Sequence, residues 1–188
     1  MTNSTVNDKY NYNTIINFWF TEIQPSAWFK KDEAFDQLIK ERFLETFEAA
    51  TKGELSAWRN SPQGRLAEII VLDQFSRNIF RDSAKAFQAD NLAVILTQEA
   101  IRAEADKMLS SAEKAFLYMP LMHSESLIIH QQAVEKFSQS GLESNYQFEL
   151  KHKVIIEKFG RYPHRNQILN RVSSKEELAF LQEPNSSF

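Results

Sequence analysis

Helical periodicity runs through this chain and restricts it to one class of fold. Within residues 32–51, apolar side chains recur at steps of three and four, at Phe35, Leu38, Ile39, Phe43, Leu44 and Phe47. That spacing places them on one face of a helix. The 188 residues include only 4 Gly and 5 Pro, too few turn formers for a protein of many short strands. We predict an all-α fold of about eight helices packed in antiparallel pairs.

Capping and turn residues predict where several of these helices begin and end. Ser61 followed by Pro62 is typical of an N-cap and a first helical position, and this helix is expected to continue to about residue 81. Pro120 lies in the longest apolar stretch, where a proline removes one helical hydrogen bond. We therefore expect a new or kinked helix over residues 121–138. Ser173 and Glu176 have the spacing of a capping box for the last helix.

Length and composition favour a single domain over residues 13–182, with mobile tails at residues 1–12 and 183–188. The chain contains no Cys, which excludes disulfides and thiolate zinc sites and suits a reducing compartment, so the predicted location is cytoplasmic. A formal net charge of -3 provides no basic field for nucleic acid. No apolar run is long enough to span a bilayer, and we expect neither nucleic acid nor membrane as a partner.

The helix predicted to begin at Pro62 carries a polar stripe that differs from an ordinary solvent-facing surface. Its members are Asp73, Gln74, Arg77, Asn78 and Arg81. Arg77 and Arg81 are four residues apart, so their guanidinium groups repel each other unless a negative group lies between them. Asp73 can offset one charge, which would leave the other guanidinium to hold a carboxylate or phosphate. Alternatively, the stripe is a structural network that ties neighbouring helices together.

All 4 histidines lie in the second half of the chain. On a continuous helix His123 and His130 share an apolar face, and His152 lies on the apolar face of the next helix, as core histidines usually do. Glu125 is expected to point away from His123 if the helix is regular. Since His123 and His130 are about 10 Å apart along a helix, they cannot share one ion. We predict no metal site and no cofactor.

A short irregular loop around Pro163 concentrates polar side chains. They are Arg161, His164, Arg165 and Asn166. Rigid loops often carry functional side chains, although Arg161 and Asn166 would equally suit capping roles at the adjoining turns. Together with Arg77 and Arg81, this loop would bring four guanidinium groups and an imidazole to one pocket.

Three separated motifs together resemble one known family. They are LDQFSRNIFR at residues 72–81, PLMHSE at residues 120–125 and FGRYPHRN at residues 159–166. Over residues 15–181 the chain is similar to a bacterial domain-of-unknown-function family, number nine hundred and twenty-four. The resemblance implies a TPR-like helical fold and no settled activity. It extends to His123, Ser124, Glu125 and His152, whereas His130 departs from the family pattern and is left out of the site.

Two hypotheses for the function remain open. In the first, a small anionic ligand is bound, and an oriented histidine can transfer a proton. The candidate catalytic residues are His123, Glu125, His164 and Asp73. The candidate ligand-binding residues are Gln74, Arg77, Asn78, Arg81, His152, Arg161, Arg165 and Asn166. In the second hypothesis, a TPR-like scaffold binds a peptide or its carboxylate without chemistry. A buried network with no cavity would contradict both hypotheses, and the sequence leaves a homodimer open.

Overall fold

The computed structural model describes residues 10–184 and 186, and within them the chain is helical, with no strand. The described α-helices are α1 Tyr12–Asn17, α2 Glu33–Thr51, α3 Pro62–Ile70, α4 Ser76–Ile79, α5 Asp90–Arg102, α6 Ser111–His123, α7 Leu127–Phe137, α8 Glu143–Phe159 and α9 Lys175–Phe180. This confirms the predicted all-α class. The TPR-like arrangement stays a prediction. Residues 1–9, 185, 187 and 188 of the two predicted tails lie outside the described residues.

The segment from α3 to α4 forms the centre of the fold. Every residue over 66–76 is buried, and helices α1, α2, α5 and α6 all contact this segment. A helix that is buried all round lies in a core, so the polar stripe cannot be a solvated face. Between α3 and α4 the chain makes a π turn, Val71–Phe75, which contains Asp73. None of the described helices is both long and apolar enough to cross a lipid bilayer.

Local signals set the start of this central segment as predicted. The Ser61 hydroxyl accepts a hydrogen bond from the Gly64 backbone N–H at 3.1 Å, and Pro62 occupies the first helical turn. Aromatic packing then holds neighbouring helices to it. Phe75 lies 4.8 Å from Phe43 of α2 and 5.5 Å from Trp19, measured between ring centroids. These contacts bury large apolar surfaces and fix the angle at which the polar stripe enters the core.

The break between α6 and α7 differs from the prediction. Helix α6 runs through Pro120 to His123, and the chain leaves helical geometry only at residues 124–126. Proline removes a single N–H donor, whereas all side chains over residues 115–122 are buried, so packing outweighs the lost hydrogen bond. Because the turn follows His123 directly, Glu125 is not on the opposite face of a helix. The condition for the expectation that it points away from His123, a regular helix at Glu125, is therefore not met.

The capping box of the last helix is shifted by one residue from the prediction. Ser174 and Glu177 form it, rather than Ser173 and Glu176. The Ser173 hydroxyl instead accepts a hydrogen bond from the Asn166 side-chain amide at 3.0 Å. Both serines have the spacing of a capping box, and the hydrogen bond to Asn166 occupies the hydroxyl of Ser173.

At Gly64 the central segment lies very close to the backbone of the preceding 3₁₀ turn. A Cβ at this position would lie 2.0 Å from the carbonyl oxygen of Trp58, which is backbone and cannot turn aside. We expect Gly64→Ala to lower the free energy of unfolding by roughly 2–4 kcal/mol in urea titrations followed by circular dichroism. Gln63→Ala in the same helical turn should change it by less than about 0.5 kcal/mol. Equal stabilities of the two variants would contradict this close approach.

Candidate functional site

An open cleft of about 530 Å³ lies where three parts of the chain meet. The start of α5 contributes Asp90, the end of α6 and the turn after it contribute His123 and Glu125, and the loop after α8 contributes Arg165. The volume falls within the range of small-molecule sites. Residues within 84–91, the end of α6 and the late loop thus line one hollow, whereas none of the stripe residues 73–81 is among its lining residues.

His123 and Asp73 form a hydrogen-bonded pair at this cleft. The His123 Nδ1 lies 2.7 Å from Asp73 Oδ1, and the Asp73 side chain is fully buried. An ionised carboxylate can only accept hydrogen bonds, so Nδ1 carries the proton and donates it. Neutral His123 therefore has its lone pair on Nε2, which forms no hydrogen bond to another described residue.

Charge around this pair keeps Asp73 ionised and His123 neutral. Burial disfavours the Asp73 anion, but Arg77 and His123 outweigh it and hold the pKa of Asp73 below its usual value. Arg77 Nη1 lies 3.3 Å from Asp73 Oδ1, and Gln74 Nε2 donates to Oδ2 at 2.5 Å. Burial and the nearby Arg77 lower the pKa of His123. An oriented neutral imidazole beside a carboxylate can accept a proton from a ligand.

Asp90 joins the central segment to the late loop. Both terminal nitrogens of Arg77 donate to its carboxylate at 3.0 Å, and Arg165 Nη1 donates to the same group at 3.3 Å. The Arg165 guanidinium packs against the rings of Phe87 and Tyr162, 4.6 Å from each centroid. Sequence reasoning did not place Asp90 in the site, because an acidic residue in the first turn of a helix is an ordinary feature.

Glu125 anchors the loop rather than orienting His123. Its carboxylate accepts hydrogen bonds from Arg171 at 2.5 and 2.9 Å and from the Tyr162 backbone N–H at 2.8 Å. Arg171 was missed in the sequence, since nothing local links it to a residue 46 positions earlier. Asn166 accepts a hydrogen bond from Arg171 Nε at 2.9 Å. Glu125, Arg171 and Asn166 therefore brace the loop that carries Arg165.

The structure does not bring the four predicted guanidinium groups together. Arg81 forms an ion pair with Asp36 of α2, and Asn78 donates to the same carboxylate at 2.7 Å. Arg161 donates to Glu177 at 2.6 and 2.8 Å. Of the four predicted arginines only Arg165 is among the residues that line the cleft, and Arg77 reaches it through Asp90. Arg81 and Arg161 each pair with a carboxylate distant in sequence, which the sequence pattern did not reveal. Only Arg77 and Arg165 meet, and they do so at Asp90.

Two other histidines lie behind the cleft, around the Tyr162 ring. His152 Nδ1 donates to the Phe148 carbonyl at 2.8 Å, and burial lowers its pKa to about 3. His164 lies 5.4 Å from Tyr162 between ring centroids, and burial together with Arg165 lowers its pKa to about 4. Among the described residues, no group of three or more His, Cys, Asp or Glu is arranged to hold a metal ion.

Comparison with known proteins gives the family. The model of DUF924, described as a bacterial protein of unknown function, matches residues 15–185. The chain belongs to this family. The solved structure of the protein of unknown function ATU0120 from Agrobacterium tumefaciens is similar to this DUF924 chain, with 36% sequence identity and a TM-score of 0.87. The similarity covers 91% of this chain and 96% of that one. No curated protein matches significantly.

The buried histidines should make this DUF924 protein less stable in mild acid. The pKa values of His152 and His164 are about 3 and about 4 in the folded chain, against about 6.5 when unfolded. As the pH falls below about 6.5, the unfolded chain binds protons that the folded chain does not, so the free energy of unfolding decreases. His152→Gln should reduce this slope by about 1.4 kcal/mol per pH unit between about pH 6 and 4.5, in urea titrations.

Lys151→Gln is the control for that measurement, because Lys151 is an exposed neighbour of His152 on the same helix. Its slope should equal that of the wild type. A His152→Gln variant with the wild-type slope would contradict the buried neutral state of His152.

Proposed function

We propose that the cleft binds a small molecule with one negative charge, preferably a carboxylate, and that His123 acts on it as a general base. The observation that carries this proposal is the 2.7 Å hydrogen bond between His123 Nδ1 and the buried Asp73. It fixes the tautomer and the orientation of the ring at the cleft wall, as an acid–base residue requires. Ligand binding alone would need no such oriented base.

The charge balance around the cleft favours a ligand with a single negative charge. Lys85, Arg165, Asp90 and Glu125 line the cleft, and Arg77, Arg171 and Asp73 pair with residues that line it. Together they are four cations and three carboxylates. One net positive charge remains. A monoanion neutralises it, whereas a dianionic phosphate would leave one negative charge uncompensated in a partly desolvated site.

Arg165 is the guanidinium best suited to contact that ligand. Arg77 and Arg171 each hold a carboxylate with two nitrogens. Arg165 makes one longer hydrogen bond, through Nη1, and its Nη2 has no hydrogen bond to a described residue. The planar guanidinium of Arg165 packs against two aromatic rings and presents an edge that fits a carboxylate. Since Arg165 and His123 line the same cleft, one small molecule can contact both.

A scaffold that holds a peptide or its terminal carboxylate without chemistry is the alternative, and the openness of the cleft supports it. The two proposals share the Arg165 contact and differ in the role of His123.

We also propose a cytoplasmic location for the protein, which the composition of the chain suggests.

Arg165→Met tests the anion contact. We expect acetate, lactate and pyruvate to shift the His123 and Arg165 side-chain signals in NMR titrations of the wild type, with inorganic phosphate producing smaller shifts. Loss of a charged hydrogen bond should weaken the binding of these monocarboxylates by about tenfold or more. Arg161→Met removes an arginine outside the cleft and should bind them like the wild type. Wild-type binding by Arg165→Met, or no response of His123 to any carboxylate, would contradict the proposal.

Acylation by diethyl pyrocarbonate tests whether His123 can act as a base, because this reagent reacts with neutral imidazole. His123 should react at Nε2, and at pH 5.5 it should retain much of its neutral-pH rate, whereas an ordinary histidine is only about 10% neutral there. Asp73→Asn should slow the reaction, since an amide that donates to Nδ1 moves the ring proton to Nε2. Peptide mass spectrometry gives the rate at each histidine. Fully buried His130 serves as the unreactive internal control, and an ordinary pH profile at His123 would count against the proposal.

A further inference from the structure

A second histidine–carboxylate pair lies directly behind the turn that carries His123. His130 Nδ1 of α7 is 2.7 Å from Glu149 Oε1 of α8, and both side chains are fully buried. The second Glu149 oxygen, Oε2, is also buried and has no hydrogen-bond partner among the described residues. This pair cannot touch a ligand in the cleft, so any contribution to the site must pass through other residues.

The buried pair is connected to the backbone on either side of His123. His130 Nε2 lies 2.8 Å from the Ser124 carbonyl oxygen, which can only accept, so Nε2 carries a proton and donates it. The Tyr162 hydroxyl donates to the Met122 carbonyl at 2.6 Å, and its oxygen is 3.2 Å from His130 Nε2. The carbonyls that precede and follow His123 are therefore both held by buried side chains.

These contacts occur where the backbone has lost its regular support. Helix α6 ends at His123, and the last carbonyls of a helix have no partner within it. The turn over residues 124–126 supplies no regular ladder to replace those bonds. Asp73 fixes the ring of His123 from the side, but the ring can keep that 2.7 Å bond only while its backbone stays in place. An oriented catalytic group requires such a supporting shell.

We propose that His130, Glu149 and Tyr162 are positioning residues for His123, and that they act by holding the Met122 and Ser124 carbonyls. The proposal rests on the proposed role of His123 as a base. Glu149 shares a proton with His130 Nδ1, which leaves Nε2–H directed at Ser124. Tyr162 supports the preceding carbonyl and also packs against Arg165, so one side chain contacts both the turn and the ligand-binding guanidinium.

Tyr162→Phe, compared with Tyr118→Phe, tests the proposal. Tyr118 is also fully buried, and its hydroxyl donates to Asp106 at 2.7 Å, away from the turn. Each variant keeps its ring and loses a hydroxyl with two polar contacts, to Asp106 and Gln139 in one case and to the Met122 carbonyl and His130 in the other. In NMR titrations without ligand, Tyr162→Phe should weaken the Nδ1–H signal of His123 and lower its titration midpoint, because the hydrogen bond to Asp73 that is weakened raises the pKa of His123. Tyr118→Phe should leave both unchanged.

Two substitutions at Glu149 give an independent test in case Tyr162→Phe does not fold. The amide of Glu149→Gln can donate to His130 Nδ1 and so keep Nε2–H on Ser124, and this variant should titrate like the wild type. Glu149→Leu leaves Nδ1 without a partner and should shift the His123 midpoint as Tyr162→Phe does. An unchanged His123 midpoint in folded Tyr162→Phe or folded Glu149→Leu would overturn the positioning role.

The same measurements separate this inference from the proposed function. Because the titrations contain no ligand, a shifted His123 midpoint in Tyr162→Phe supports positioning whether or not carboxylates bind. A wild type that binds none of the tested carboxylates would overturn only the proposed function.

Discussion

A buried, ionised carboxylate must be compensated by charge and hydrogen bonds, because desolvating an unpaired ion costs several kcal/mol. Asp73 imposes this requirement at the centre of the fold, where its side chain is fully buried. Arg77 and His123 meet the requirement together with Gln74. Arg77 in turn brings Asp90 to the site. The polar side of the cleft is thus a series of ion pairs and hydrogen bonds that begins at the Asp73 carboxylate.

The two histidine–carboxylate pairs have the same chemical groups but differ in nearby charge and in access to the cleft. Asp73 has Arg77 beside it, which helps to keep the pKa of its carboxyl low. Within the described part of the chain no arginine forms an ion pair with Glu149, and burial raises the pKa of its carboxyl. His123 reaches the cleft, whereas His130 is sealed inside. These differences underlie the two proposed roles, proton transfer for the first pair and support of the backbone for the second.

The loop after α8 contacts both the turn after α6 and the guanidinium that lines the cleft. Pro163 and the bond between Glu125 and Arg171 hold it against the turn after α6. Tyr162 in this loop contacts the Met122 carbonyl on one side and the Arg165 guanidinium on the other. Because the loop is fixed at several points, the edge of Arg165 has a defined position relative to His123. Such rigidity is what a preorganised small-molecule site requires.

Local patterns in the sequence determined the all-α class, the start of the central helix at Ser61 and the polar character of the Asp73 stripe, because spacing and capping act over a few residues. Only the tertiary structure decided which charges meet. Arg81 pairs with a residue 45 positions away, and Arg165 reaches one 75 positions away. Local sequence gives an arginine no preference for one carboxylate over another, so the packing of the helices selects its partner. Packing likewise carried α6 through Pro120 and placed Glu125 at the cleft.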